Sequence, residues 1–254
     1  EPLLILNGDI LTDIDLTSLK AFHRRNKALV TVALSRVKDP TIYGLVETDK
    51  KGRIKRFVEK PSLDKVTTNT INAGIYLFEP EVLDFVPQGK SFSVERGLFP
   101  GLLAKRFPLF GYISKRYWLD IGSIDKYFQA HSDLMSKNVN FSIQGKLLLD
   151  NLWTDGKLKR GKYMELKGRL VCGKNVRIGD HVRISGNVCI GNNVSLGGGV
   201  SISDSIILDN SRIEGNVRIE KTLIGKKCII EANSTVSENT VLGDGTIIKQ
   251  YSKL

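Results

Sequence analysis

The 254-residue sequence holds only three Cys, three His and two Trp. Cys172, Cys189 and Cys228 show no CxxC spacing, and an odd number cannot pair completely. That sets aside a zinc ribbon, a thioredoxin-type motif and a disulfide framework, and it fits a reduced, cytoplasmic setting. No apolar run reaches the roughly 18 residues of a spanning helix. The opening EPLLILNGDI has neither the basic region nor the cleavage pattern of a secretory signal, so a soluble chain with no membrane partner is expected. No RNP, zinc-finger or helix-turn-helix pattern accompanies the excess of 38 Lys and Arg over 27 Asp and Glu, and no nucleic-acid partner is expected. The formal charge of +11 leaves two readings open, a solvated basic surface or attraction for nucleotides and sugar phosphates. Basic residues gather at Lys50, Lys51, Arg53, Lys55 and Arg56, and again at Lys157, Lys159, Arg160 and Lys162.

What is abundant is periodicity. From Cys172, apolar residues recur every six positions at Ile178, Ile184, Ile190, Leu196, Ile202 and Leu208, and four residues after each of the first six comes Val176, Val182, Val188, Val194, Val200 or Ile206. Five-residue steps from Leu208 to Ile213 and from Ile219 to Ile224 interrupt the rhythm, which resumes at Ile230, Val236, Leu242 and Ile248. Such a hexapeptide repeat suits short strands whose inward residues lie two apart, joined at corners by Gly, Asn or Asp in left-handed backbone conformations. Three strands close one coil, and 14 rungs give between four and five coils that bury their aliphatic side chains against one another.

The first 136 residues read differently. LLILNG predicts a fully buried strand, LTSLKAFHRRN an amphipathic helix capped by Thr17, and ALVTVALS another buried strand. RIKRFVEKP and TINAGIYLFEP predict strands closed by proline, PEVLDFV a short helix, and SIDKYFQAHSDLMSK a helix capped by Ser123 or Asp125. This alternation predicts an α/β domain with a mostly parallel sheet. The expected division is an α/β domain at 1–136, a connector at 137–169, and a β-helix at 170–254.

In open α/β sheets ligands bind beyond the carboxyl ends of strands. Asp9 in Asn7-Gly8-Asp9 and Asp120 in Tyr117-Trp118-Leu119-Asp120 both stand at such ends, and two carboxylates could share one Mg²⁺ while leaving places for water and phosphate oxygens. Each could equally be a turn or capping Asp. Glu59-Lys60-Pro61 sets a carboxylate beside an ammonium, which strand alternation turns opposite ways unless the backbone bends, and which could equally be an exposed charged pair. Asn72-Ala73-Gly74 offers amide and small groups for hydroxyl recognition, or an ordinary tight turn.

The ordered set LILNGD, YGLVETD, FVEKP, NAGIYLFEP, SFSVERGLFPGLL and YWLDIGS resembles the sugar-1-phosphate nucleotidyltransferase family, most closely its mannose-1-phosphate guanylyltransferases. The resemblance implies a partial Rossmann-like nucleotidyltransferase domain followed by a parallel β-helix of left-handed sense, where the usual crossover rule would favour right-handed. It implies that Asp9 and Asp120 hold a catalytic Mg²⁺ and that Lys60 contacts the sugar phosphate. Glu59, Asn72 and Gly74 would read the sugar, with Tyr43 and Gly44 lining the same pocket. The implied reaction joins a nucleoside triphosphate to a sugar 1-phosphate, giving GDP-mannose and pyrophosphate.

The family's Gly-rich loop GGxGTRLxPLT and its downstream Pro-Lys are not found here. Backbone N–H groups of such a loop bind phosphates, so the chain alone is expected to be inactive. The alternatives are a fragment of a longer protein, a complementing N-terminal segment from another chain, or a non-catalytic regulatory or structural subunit. Strand edges next to the missing element are expected to be exposed. A third function, a hexapeptide acyltransferase, would rest on His181, the one histidine of the repeats. A homo-oligomer paired through the β-helix is expected, with Val236, Leu242 and Ile248 near solvent at its end.

Overall fold

The computed structural model describes residues 1–254, which form two compact units, Glu1–Gly122 and Ser123–Leu254. In the first unit the strands are β1 (Leu3–Leu6), β2 (Ile10–Thr12), β3 (Val30–Arg36), β4 (Gly44–Thr48), β5 (Ile54–Glu59), β6 (Thr70–Phe78), β7 (Leu109–Ile113) and β8 (Trp118–Asp120). Its α-helices are α1 (Leu16–Arg25) and α2 (Phe99–Ala104), with short 3-10 helices at Leu63–Lys65 and Pro80–Phe85, the latter where PEVLDFV predicts a helix, and a π turn at Val94–Leu98. The main sheet runs β5-β4-β6-β3-β7 with β1 also on β6, while β2 and β8 pair separately.

Period-two alternation sorts the core. Val30, Val32 and Leu34 of β3 with Tyr76 and Phe78 of β6 pack against Phe99 and Leu102 of α2, and Ala33, Ala73, Ile75 and Leu77 turn to the opposite face with Leu19 of α1. Each such fully buried aliphatic or aromatic side chain contributes roughly 1.5–3 kcal/mol.

Three expectations for this unit change. The sheet is mixed: β3 and β7 pair in parallel, but β1–β6, β3–β6, β4–β5 and β4–β6 are antiparallel, because β4 and β5 form a hairpin and β6 returns between them and β3. The β1 strand is an edge strand rather than a buried one, with Leu3, Leu4 and Leu6 exposed. The cap of α1 is Asp15, whose carboxylate accepts from the Ser18 backbone N–H at 3.0 Å, and not Thr17.

The second unit is a parallel β-solenoid with α3 (Ile124–Met135) packed on it. Every inter-coil pair of strands is parallel, and the offset is 18 residues in the early coils (Arg177↔Ser195), 17 in the middle (Arg212↔Ile229) and 18 again at the end (Ile229↔Ile247). One inward column is chiefly Ile or Leu; the other is Leu or Val through the early coils and holds Ser205, Ser211, Thr222 and Ser234 in the later ones, and the apolar members form one continuous core from Leu152 to Leu242.

The segment expected as a connector enters this solenoid. Strands Leu152–Thr154 and Leu158–Arg160 pair with the following coil, and Leu152, Leu158, Met164 and Leu170 extend the Val176 column backwards at the same six-residue spacing. The helix α3 was expected with the α/β domain, but it belongs to the solenoid's unit by its bonds. Asn187 Nδ2 donates to Ser132 Oγ at 2.9 Å, His131 Nδ1 lies 3.1 Å from Cys189 Sγ, and Ser123 caps the helix.

The repeat register also shifts by one residue. Ile207, not Leu208, faces inward opposite Ile190 and Ile224, so the first five-residue step is Ile202 to Ile207. The companion column therefore takes buried Ser205, not Ile206, and the Ser205 hydroxyl donates to the Ser203 carbonyl at 2.6 Å while accepting from the Thr222 N–H at 3.1 Å. At the far end Val236 and Leu242 are buried, since residues 249–254 begin a further coil in which Thr235 N–H donates to the Ser252 carbonyl at 2.8 Å. The exposed apolar residues there are the outward Val241 and Ile247, with Tyr251 and Leu254. No helix of the protein is long and apolar enough to cross a membrane.

Candidate active site

The long strand β6 carries the site. On one edge β1 pairs with residues 75–78 and β4 only with Ile71, which leaves a notch at Asn72–Gly74. On the other edge the register shifts between Val32 and Leu34, so that Ala73–Ile75 bulge opposite Ala33. Gly74 sits in this bulge at φ +70°, and its N–H is bound by Asn72 Oδ1 at 3.0 Å. Its carbonyl accepts from Asn7 N–H at 2.8 Å, and a Cβ at Gly74 would stand 2.8 Å from Asn7 Nδ2, so a glycine is required by both backbone and neighbour.

Two further strands bring the carboxylates in. In the β2–β8 ladder Ile10 faces Asp120, and the Ile121 N–H donates to the Asp9 carbonyl at 2.8 Å. A Cβ built on Gly122 would lie 3.0 Å from Asp120 Oδ1 and 3.9 Å from Asp9 Oδ2. The two carboxylates therefore converge on one small volume, close enough to share a hydrated cation. Across the notch Glu59 lies over Gly44, where a Cβ would come 2.8 Å from Glu59 Oε2.

Asn7, Asp9, Tyr43, Gly44, Glu59, Asn72, Gly74, Glu95, Trp118 and Asp120 line one cleft of about 140 Å³. Seven of the eight sequence-derived candidates are thus brought together. Lys60 is the exception: it is exposed, it is not part of the lining, and its backbone turns at φ +46° with its N–H bound to the Tyr43 carbonyl at 3.0 Å. That turn is the bend that places Glu59 in the cleft.

Four carboxylates and no cationic side chain line the cleft. Burial, and then the Glu95 charge, raise the Glu59 carboxyl above the ordinary range against the opposing pull of Lys60 and Arg96. The Tyr43 hydroxyl is likewise raised by burial first and then by Asp120 and Asp39. Tyr43 meets Trp118 edge to face at 5.3 Å, and the Trp118 indole N–H donates to the Ala73 carbonyl at 2.9 Å.

A buried relay stands behind the notch. Tyr76 O–H donates to Glu95 Oε1 at 3.0 Å and accepts from Asn72 Nδ2 at 2.8 Å, which fixes which end of the Asn72 amide faces Gly74. Burial raises the Tyr76 hydroxyl pKa and keeps it protonated for this role.

Sequence reasoning missed Asn7, Glu95 and Trp118. Asn7 and Trp118 each stand two residues before a candidate Asp, the same-face spacing of a strand. Glu95 had no such signal, since only the tertiary contact with Tyr76 brings it in. His181, the acyltransferase candidate, sits at a coil corner at φ +59°, stacked on Tyr163 at 4.9 Å, with no carboxylate bonded to its ring.

Residues 1–137 match the family Nucleotidyl transferase, and residues 166–252 match the GMPPB C-terminal domain. The chain belongs to the nucleotidyl transferase family. It is 43% identical over 133 residues to a mannose-1-phosphate guanylyltransferase of Mycobacterium tuberculosis, which covers 52% of this chain and 36% of that protein. It is 33% identical over 181 residues to a UTP–glucose-1-phosphate uridylyltransferase of Synechocystis sp., covering 70% of this chain and 47% of that protein. The mannose-1-phosphate guanylyltransferase catalytic subunit beta of Drosophila pseudoobscura pseudoobscura is 38% identical over 122 residues, 48% of this chain and 32% of that protein. The chain thus spans about a third to a half of the length of these relatives. The family match ends at 137 and the compact unit at Gly122, and α3 is the difference between the two boundaries.

Proposed function

We propose that the chain forms the sugar-phosphate and metal side of a sugar-1-phosphate nucleotidyltransferase whose product is GDP-mannose. The observation that carries this reading is the convergence of Asp9 and Asp120 beside the Asn72–Gly74 notch. Two hard carboxylates and open space suit Mg²⁺, which keeps several waters and takes substrate phosphate oxygens as its remaining ligands. A cleft lined by four carboxylates repels a sugar phosphate unless positive charge is added. Asp9 and Asp120 would hold such a cation, which would supply that charge and neutralise phosphate oxygens in an in-line displacement at the α-phosphorus.

The chain's own groups do the positioning. Asn72, with its amide set by Tyr76, and Glu59 over Gly44 take sugar hydroxyls, and Gly74 lets the ligand approach the backbone. Tyr43 closes the side wall on Trp118. Lys60 at the turn after Glu59 meets the sugar phosphate from the rim. The relatives named for mannose and a guanylyl group support GDP-mannose, and the glucose and uridylyl relative marks the competing choice.

Calorimetry of mannose 1-phosphate with and without Mg²⁺ tests the site. Mg²⁺-dependent binding is expected, lost in the Asp9→Asn, Asp120→Asn double variant. Binding that ignores both Mg²⁺ and the double substitution would sink the reading, and no binding at all would favour a regulatory or structural subunit. The exposed Val241, Ile247, Tyr251 and Leu254 support a homo-oligomer through the solenoid, and the open edge of β1 with Leu3, Leu4 and Leu6 supports a covering, complementing segment.

A further inference from the structure

The solenoid distributes its charge unevenly. Residues 145–185 contain ten Lys and Arg against four Asp and Glu, whereas residues 186–254 contain seven of each. In the later coils three of the seven cations are paired, Arg212 with Glu214 at 2.9 Å, Arg218 with Glu220 at 3.1 Å, and Lys249 with Glu231 at 2.8 Å, against one of ten in the earlier stretch, Lys174 with Asp155 at 3.7 Å. Glu214 follows Arg212 by two residues, the spacing that puts both side chains on one face of a strand.

One outward column shows the contrast. It runs Lys159, Arg177, Ser195, Arg212 in strict register from coil to coil. Two residues after Lys159 and Arg177 stand Gly161 and Gly179 in place of a carboxylate, and neither cation is in an ion pair. Adjacent strands are about 4.8 Å apart, so the two like charges face each other directly, an arrangement that destabilises a sheet. Ser195, short between two arginines, leaves a concavity of about 480 Å³ lined also by Lys157, Asn175 and Asn193. The amides of Asn175 and Asn193 each donate one hydrogen along the corner, to Asn193 at 3.1 Å and Asn210 at 3.0 Å, which leaves each a second N–H.

We propose that this concavity binds a compact polyphosphate, a di- or triphosphate group, between Lys157, Lys159 and Arg177. Neighbouring cations there are spaced by about 5 Å across strands and about 7 Å along them, which suits linked phosphates. A bound polyanion would offset the repulsion between Lys159 and Arg177. An extended nucleic acid or polysaccharide would need a basic track, and the net charge ends where the later coils begin. This site is separate from the carboxylate-lined cleft and does not depend on the function proposed for it.

Calorimetry of the full chain with inorganic tripolyphosphate in EDTA and low salt tests it, since without a divalent cation the cleft repels the same anion. One site is expected, weakened about tenfold by Lys159→Gln or Arg177→Gln and lost in the double variant. Lys226→Gln, outside the concavity, should bind as the unaltered chain does. Without ligand, Arg177→Gln should leave the melting temperature unchanged or raised, which separates loss of the site from loss of the fold. Tripolyphosphate binding that survives Lys159→Gln, Arg177→Gln overturns the proposal. So does competition by a single-stranded oligonucleotide at equal phosphate concentration, which would show an extended polyanion surface instead.

Discussion

The two units solve the problem of burying strands in opposite ways. In the coils of the solenoid a strand's partner is the strand one coil on, as in Ser201↔Arg218, so the chain neighbour and the spatial neighbour are related by one rule. In the α/β unit β6 takes its partners from separate upstream strands with no fixed offset, Tyr76 facing Ile5 on one edge and Val32 on the other. Regularity leaves the solenoid with flat, repetitive faces on which only side-chain charge varies. Irregularity gives the α/β unit a bulge, an interrupted edge and a place where distant residues converge, and the carboxylates gather there.

The comparison can be broken most severely at a coil contact. Gly168 has φ +145°, and a Cβ there would be driven into the backbone of Gly186 in the next coil. Gly168→Ala is expected to cost about 3 kcal/mol or more, because backbone cannot step aside. Gly186→Ala, whose added methyl meets the movable Asp204 side chain, should cost less. Denaturant unfolding of both variants checks the order, and equal losses would show that the stack yields more easily than its register implies.

In the α/β unit the corresponding test is Tyr76→Phe. It removes a buried hydroxyl that serves both Asn72 and Glu95, and a loss of about 1–3 kcal/mol is expected from the unsatisfied Asn72 amide. The affinity for mannose 1-phosphate should fall with it, because the amide is no longer held. Stability that falls while affinity stays constant would detach Asn72 from the site.

These contrasts explain what the sequence disclosed. The coils were legible because inward residues recur at a fixed step, yet the start was placed at Cys172 although Leu152, Leu158, Met164 and Leu170 continue the same column. Thr154 and Arg160, standing in the Cys172–Ile178 column where an apolar residue would mark a coil, concealed it. The one-residue slip at Leu208 arose because a five-residue step can be placed on either side of an apolar run, here Ile206-Ile207-Leu208, and the hydroxyl of Ser205 decided it from the inside. In the α/β unit strand positions were legible, but pairing was not: nothing in LLILNG says that its leucines stay exposed. Asp9 and Asp120 could be named as candidates, while their meeting required the β2–β8 ladder. Glu95 lay beyond reach because its link to Tyr76 exists only in the fold.

A finer test of the solenoid's regularity concerns its corners. Asn193 has φ +57° and its amide spans Asn175 and Asn210. Asn193→Gly keeps the left-handed backbone and deletes two exposed hydrogen bonds, so a loss below about 1 kcal/mol is expected. Asn193→Ala adds backbone strain of roughly 1–2 kcal/mol. Thermal melts of the pair separate backbone from ladder, and an alanine variant as stable as glycine would show that the corner is not held in the left-handed region.

The smallest expected effect is electrostatic and lies in the cleft. The Glu59 carboxyl is raised by burial first and by the Glu95 charge second. Because the folded value exceeds the unfolded one, the associated stability is fully present below the unfolded pKa, near the ordinary carboxyl value of 4.5, and is lost as pH rises through the raised folded value. Glu95→Gln keeps an acceptor for Tyr76 O–H and removes the charge, so the Glu59 value should move down while burial keeps it above the ordinary range. Carboxyl-carbon NMR titration of Glu59 in both proteins reads this directly. The loss of stability across that pH window should also narrow in the variant, and disappear in Glu59→Gln. A Glu59 titration that is unmoved by Glu95→Gln would mean that the two carboxylates do not share one field, and the cleft would then act as two separate surfaces.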